Sequence, residues 1–242
     1  AAPLTAQQSQ VLSQALQAVA QMHLRGLWQS DLHLDNLLQQ GKQLYVLDGG
    51  GVQSEQTGQP LPQATVLDNL AVFFAQLPSA YDAHLAELLA HYLVVNATHQ
   101  LAIEDLHQKI LKIRQWRVKD YLNKVGRECS LFSVTRGLFG LRAVWRAAEA
   151  ELAPTLADPD AAIDSGHIYK TGGAATVARV AHGEQTLVIK RYNIKNTLHW
   201  LKRFWRPSRA WQSWREGHRL SVLGISTPQP LAVIENRWCG LR

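Results

Sequence analysis

Apolar residues recur at three- and four-residue steps through Val11, Leu12, Ala15, Leu16, Val19 and Met22, which predicts an amphipathic helix over 5–25 capped by Thr5 and ended by Gly26. The pattern then shortens. Leu37 and Leu38, a polar turn at Gln39 to Gln43 and the β-rich run Leu44-Tyr45-Val46-Leu47-Asp48 predict a loop followed by a hairpin. Residues 51–63, rich in Gly, Pro, Gln and Ser, read as a loop, and two helical stretches follow at 68–76 and 81–94, the first with Asp68 as its cap. From Ala102 to about Glu151 the chain reads as helix, and 152–165 has the Pro, Asp and Ala content of a linker. Beyond it, strands are expected at 168–170, 176–181 and 186–190, with a small-residue turn at 171–175. A helix bearing Trp211, Trp214, Leu220 and Leu223, a Pro-rich turn at 227–230 and a last strand at 231–235 complete the reading.

Composition adds bounds to this outline. A chain of 242 residues, 46% hydrophobic, can build one large core or two small ones. No stretch approaches about 18 uninterrupted apolar residues, so a spanning helix is not expected. Cys129 and Cys239 are only two and far apart, and no leader pattern opens the chain, so a reducing cytoplasm is the expected location. Charge is distributed in blocks: −7 over residues 1–108, +8 over 109–146, −4 over 147–189 and +8 over 190–219. Basic blocks of this kind suit phosphate groups, whether on a nucleotide, a glycolipid, an anionic membrane surface or nucleic acid.

Chemistry concentrates in Gln29 to Val52, where Asp31, Asn36 and Asp48 stand five and then twelve residues apart. Phosphoryl transfer asks a protein for one carboxylate beside the attacking hydroxyl and for hard oxygen ligands to Mg²⁺. Asp31 suits the first task as the catalytic carboxylate. Asn36 and Asp48 suit the second as metal ligands, because a loop followed by a hairpin brings them to the same end of a short sheet. An Asx-rich turn before an ordinary hairpin is the plainer alternative. His23 reads as a packed helix-end histidine rather than a catalytic one.

These residues resemble the catalytic loop and metal-binding Asp-Gly of the protein-kinase-like superfamily, in the form seen in bacterial lipopolysaccharide core kinases; aminoglycoside and choline kinases are less similar. Gln29 stands where those families usually carry His, a position with a mainly structural task. Gly49-Gly50-Gly51 replaces the Phe-Gly of protein kinases, which points away from an activation switch and toward a small-molecule or glycolipid acceptor. The resemblance implies an α+β, protein-kinase-like fold with a helical large lobe at 1–150, a linker at 151–165 and a small antiparallel-sheet-plus-helix lobe at 166–242. It also implies ATP and Mg²⁺ as cofactors, a lipopolysaccharide inner-core sugar as acceptor, and work at the cytoplasmic face of the inner membrane. The basic helical surface from Lys109 to Arg127, interleaved with Trp116, would rest on anionic lipid or simply face solvent.

The second half supplies the complementary parts. Strand, glycine turn, strand, and a strand ending in Lys is the pattern of a nucleotide lobe: Gly172 and Gly173 let backbone N–H groups approach phosphates, and Lys190 contacts them. The helix Glu that usually pairs with this Lys is replaced by Ser213, and Glu216, one turn on, is the substitute. Large lobe before small lobe reverses the order of a single kinase. The favoured expectation is an internal piece of a tandem two-kinase protein, inactive alone, in which Lys190 and Asp48 do not share one ATP. A circular permutant and a pseudokinase-like scaffold are the alternatives. Nucleic-acid binding, suggested by a pI near 9.5 and by Trp200, Trp205, Trp211 and Trp214 among basic residues, is the reading from another class and is disfavoured.

Overall fold

Thr5 does cap the first helix, and it does so reciprocally: its hydroxyl accepts from the Gln8 amide while the Gln8 side chain accepts from the Thr5 amide. A computed structural model describes residues 4–41, 43–55, 57–193 and 207–236. The protein is α+β, with small antiparallel sheets, and divides into compact units at 1–117 and 118–242. Among the described residues no helix is long and apolar enough to cross a membrane.

In the first unit α1 (Ala6–Leu24) leads into β1 (Leu27–Gln29), which pairs with β4 (Val52–Ser54); between them lies the hairpin of β2 (Leu37–Gln40) and β3 (Gln43–Val46). Then come α2 (Gln63–Phe74), a 3₁₀ turn at Ser79–His84, α3 (Leu85–Leu93) and α4 (Ile103–Lys124), within which the unit boundary falls. The apolar stripe foreseen on α1 is buried at Leu12, Ala15, Leu16 and Val19 against Leu70, Phe73, Leu88 and Tyr92. Asp68 is not a cap. The helix starts five residues earlier, behind Pro62, and Asp68 lies on its outer face, ion-paired with Lys109.

The second unit departs further from the expectation. Residues 132–145, read as helix, form a hairpin of β5 (Phe132–Arg136) and β6 (Gly140–Trp145). The physical reason is a period of two: Phe132 and Val134 pair with Trp145 and Ala143 on one face, and Gly137 and Gly140 bracket the turn. Residues 152–165, read as a linker, fold as α5 (Glu149–Ala157) and α6 (Pro159–Asp164), which bury Leu152 and Ile163. Asp158 caps α6 by accepting from the Ala161 amide, with Pro159 at the first helical position, so the residues that suggested a linker are helix punctuation.

The strands of the expected nucleotide lobe are present as β7 (His167–Lys170), β8 (Ala175–His182) and β9 (Gln185–Tyr192) in the order β7-β8-β9. The helix is α7 (Arg209–Val222), capped by Ser208. The last strand, β10 (Ala232–Asn236), does not join that sheet: it pairs antiparallel with β6, giving a second sheet in the order β10-β6-β5. Trp214 of α7 lies over this sheet with Phe132, Ala143 and Val233, and its indole N–H donates to the Val125 carbonyl at 2.9 Å.

Candidate functional site

Pairing of β1 with β4 aligns Gln29 with Val52 and draws the loop 30–36 beside the turn 47–51. The Leu47 amide then donates to the Asn36 carbonyl at 2.7 Å, one step beyond the Leu37–Val46 pair, so Asn36 and Asp48 emerge together at the open end of the β2–β3 hairpin. Asn36 Nδ2 donates to the Asp31 carbonyl at 2.9 Å, which links the third residue to the other two. The Asn36 amide oxygen makes no hydrogen bond among the described residues and remains available. Asp31 presents an exposed carboxylate, 3.5 Å from His33 Nε2. Arg117 lies within electrostatic reach of Asp31; burial holds its guanidinium below the usual range and the Asp31 charge opposes that shift.

Asp48 adopts φ 54°, ψ 65°, the one left-handed non-glycine residue among the described positions. Such a conformation costs a non-glycine residue about 1–2 kcal/mol and persists only where surrounding contacts impose it. Here the contacts are identifiable. Gln29, fully buried, donates from Nε2 to the Leu47 and Asp48 carbonyls at 3.1 and 3.3 Å, and the Gly51 amide donates to the Asp48 carbonyl at 3.2 Å. Replacing Asp48 by Gly is therefore expected to raise stability by up to about 1 kcal/mol, read in urea unfolding, whereas Asp48→Ala gives no gain.

Behind this loop runs a buried chain of hydrogen bonds whose direction can be followed donor by donor. Asn69 Nδ2 donates to the Gln29 carbonyl at 2.8 Å, so its Oδ1 is the acceptor that faces His23 Nε2 at 3.0 Å. His23 thus carries its proton on Nε2, and Nδ1 accepts from the Tyr92 hydroxyl at 3.0 Å. Asn96 Nδ2 donates to the Tyr92 oxygen at 2.8 Å, and the Thr98 amide to Asn96 Oδ1 at 3.2 Å. His23 must be neutral for this order to hold, and burial lowers its pKa to about 4 against the opposing pull of the Asn69 bond. Burial likewise pushes the Tyr92 phenol up and keeps it a donor, with the Asn96 bond opposing. Gln76 closes the loop from the other side, donating to the Leu32 carbonyl and accepting from the Leu34 amide at 2.9 Å.

Asn69, Gln76, Tyr92 and Asn96 were not foreseen as parts of the site. The one sequence signal was polar amides set within otherwise apolar helical runs, as in Val66-Leu67-Asp68-Asn69-Leu70-Ala71.

In the second unit Gly172 and Gly173 form the β7–β8 turn with φ of 79° and 63°, a backbone that glycine adopts without strain. Lys190, opposite Val177 on β8, has its ammonium 4.9 Å from the Tyr192 ring centroid and makes no ion pair among the described residues. The expected Lys190–Glu216 pair is not formed. Glu216 instead meets Arg219 Nε at 3.1 Å, its neighbour on the same helix. Ser213 is the residue of α7 that reaches β9, sharing a 2.6 Å hydrogen bond with the Tyr192 hydroxyl. A cleft of about 330 Å³ between them is lined by Tyr192, Arg209, Gln212, Ser213 and Glu216.

Other features bear on the alternatives. A cavity of about 380 Å³ in the first unit, lined by Val11, Leu12, Leu34, Leu37, Leu44 and Tyr81 among others, is apolar and holds none of the three proposed site side chains. Among the described residues no three of His, Cys, Asp and Glu gather in a set that could hold a metal by themselves. Trp214 is buried and Trp211 partly so, which removes them from a base-stacking platform; Trp200 and Trp205 lie outside the described residues. Compared with protein-family models, with characterised proteins and with solved structures, the chain matches none.

Proposed function

We propose that residues 27–54 are the catalytic half of an ATP- and Mg²⁺-dependent phosphotransferase of the lipopolysaccharide core kinase type, acting on a sugar hydroxyl. One observation carries this reading: the Leu47–Asn36 and Asn36–Asp31 hydrogen bonds join Asp31, Asn36 and a strained Asp48 at one open end of a hairpin. Asp31 accepts the proton of the attacking hydroxyl. The Asn36 amide oxygen and the Asp48 carboxylate are hard donors of the kind Mg²⁺ takes alongside phosphates and water. Bound there, the metal supplies neutralisation of charge on the phosphate oxygens. Arg117, beside Asp31, would offset negative charge on the acceptor.

The glycine turn at Gly172-Gly173 and Lys190 are assigned to the nucleotide half of a second such domain, which follows the catalytic half in the reverse of a single kinase's order. The missing Lys190–Glu216 pair leaves that half without the partner such a Lys usually has. Thermal unfolding with and without Mg-ATP tests the assignment of the first half. Saturating nucleotide at about 100 times its Kd would stabilise the native state by about 2.7 kcal/mol. Protection that disappears in Asp48→Ala supports the reading; absence of any Mg-ATP effect at millimolar concentration, or one indifferent to Asp48, sinks it. Asp48→Gly should combine the gain in stability described above with the same loss of Mg-ATP response. Salt-sensitive oligonucleotide binding that survives Asp48→Ala would favour the nucleic-acid alternative.

A further inference from the structure

The β5–β6 hairpin ends in Gly137-Leu138-Phe139-Gly140, closed by a 2.9 Å hydrogen bond from the Gly137 amide to the Gly140 carbonyl. Leu138 and Phe139 stand at its tip, 65% and 68% exposed, and belong to none of the apolar clusters of the second unit. Large apolar side chains paired at a protruding tip mark a contact surface more often than scattered ones do.

The charges beside this tip are mostly basic: the one exposed carboxylate at the hairpin, Glu128, accepts from the Val134 amide and is paired with Arg146. Arg136 precedes the turn and Arg142 follows it, and because they sit opposite Leu141 and Thr135 in adjacent register positions, they face opposite sides of the hairpin. Arg136 reaches back to the Gly126 carbonyl, beside Arg127. β10 ends at the same edge, with Asn236 opposite Gly140. Arg127, Arg136 and Arg142 make no ion pair among the described residues, and Glu235, opposite Leu141, is buried and bonded to Ser208. On α4, by contrast, Lys109, Arg114 and Lys124 are neutralised by Asp68, Asp82 and Asp120. The basic helix, read as meeting lipid or facing solvent, is thus partly compensated, and Arg136 and Arg142 of the hairpin are not.

We propose that Leu138 and Phe139 insert into the surface of an anionic lipid bilayer, with the flanking arginines meeting lipid phosphates. Two apolar side chains on a narrow turn fall far short of the roughly 800 Å² per partner of a stable protein interface. They match an interfacial anchor, in which a small buried apolar surface and several basic side chains act together. The inference stands apart from the phosphotransfer reading and uses none of its residues.

Flotation of the whole chain with phosphatidylcholine vesicles, with and without phosphatidylglycerol, tests it. The wild type should bind the anionic vesicles and weaken as salt shortens the screening length from about 10 Å at 0.1 M to about 3 Å at 1 M. Leu138→Ser/Phe139→Ser and, separately, Arg127→Gln/Arg142→Gln should each weaken binding about tenfold, equivalent to about 1.4 kcal/mol. Circular dichroism melting should show the serine variant folded as the wild type, since the side chains are exposed. Failure of the wild type to bind, or binding by the serine variant equal to wild type, overturns the proposal. Self-association of the wild type that the serine variant loses, without vesicle binding, would also overturn it and make the tip a contact between copies.

Discussion

Asn69→Leu is expected to destabilise the first unit by about 2–6 kcal/mol, although it places an apolar side chain of similar size in an already apolar helix. The change removes the donor to the Gln29 carbonyl and the acceptor of the His23 Nε2 proton, both inside the core. Each buried group left without a partner costs about 1–3 kcal/mol, while the gain from one more apolar residue is smaller because Asn69 is already enclosed. Urea unfolding gives the total. Amide hydrogen exchange over residues 27–52 gives the local part, because the Gln29 carbonyl anchors the strand that holds Asp48. His23→Phe combined with Asn69→Leu should cost less than the sum of the two single changes by about 1 kcal/mol or more, since the pair shares one hydrogen bond. A loss below about 1 kcal/mol with unchanged exchange would show that the chain of bonds does not hold the loop.

The second large effect is a loss of stability on mild acidification. His23 has a folded-state pKa of about 4, below its unfolded value of about 6.5, so between these limits the unfolded chain binds a proton that the native one refuses. The contribution is fully present above pH about 6.5 and falls as pH drops toward about 4, by about 3 kcal/mol in all. His218 acts in the same direction in the second unit. It is enclosed by Trp214, Phe132 and Tyr121, and burial lowers its pKa to about 4. Urea midpoints measured from pH 7.5 to pH 4.5 should follow this slope, and His23→Phe should flatten it while lowering stability at neutral pH. An identical slope in the variant would assign the acid sensitivity elsewhere.

Features set by a residue's neighbours along the chain are legible in the sequence. The Thr5 cap, the stripe on α1 and the strand-turn-strand around Gly172 are all set within a few residues, and each appears as expected. That Asn36 and Asp48 meet was also legible, because a hairpin must bring its two ends together, whereas the Asn36–Asp31 bond was not. What failed depended on distant partners. Helical composition concealed β5 and β6, whose strand form rests on pairing with each other and with β10. Asp158 and Pro159 looked like a linker because punctuation at a helix start uses the same residues as a loop, and Pro154, which suggested a break, lies inside α5. Lys190 and Glu216 were matched by spacing alone, and spacing does not show that Arg219 lies nearer to Glu216.

The pairing of β10 with β6 also governs how the second unit can be made and handled. Its middle strand gains its second neighbour only from Ala232–Asn236, near the far end of the unit, so the β10-β6-β5 sheet closes a long loop and forms late. During synthesis the hairpin emerges first with β6 open along one edge, and Ala143 and Phe132 wait for Val233 and Trp214 to cover them. A chain cut at 151–165 would separate β6 from its partner and leave two pieces with exposed strand edges prone to association. The safe place to divide this unit is therefore not its proline-rich middle.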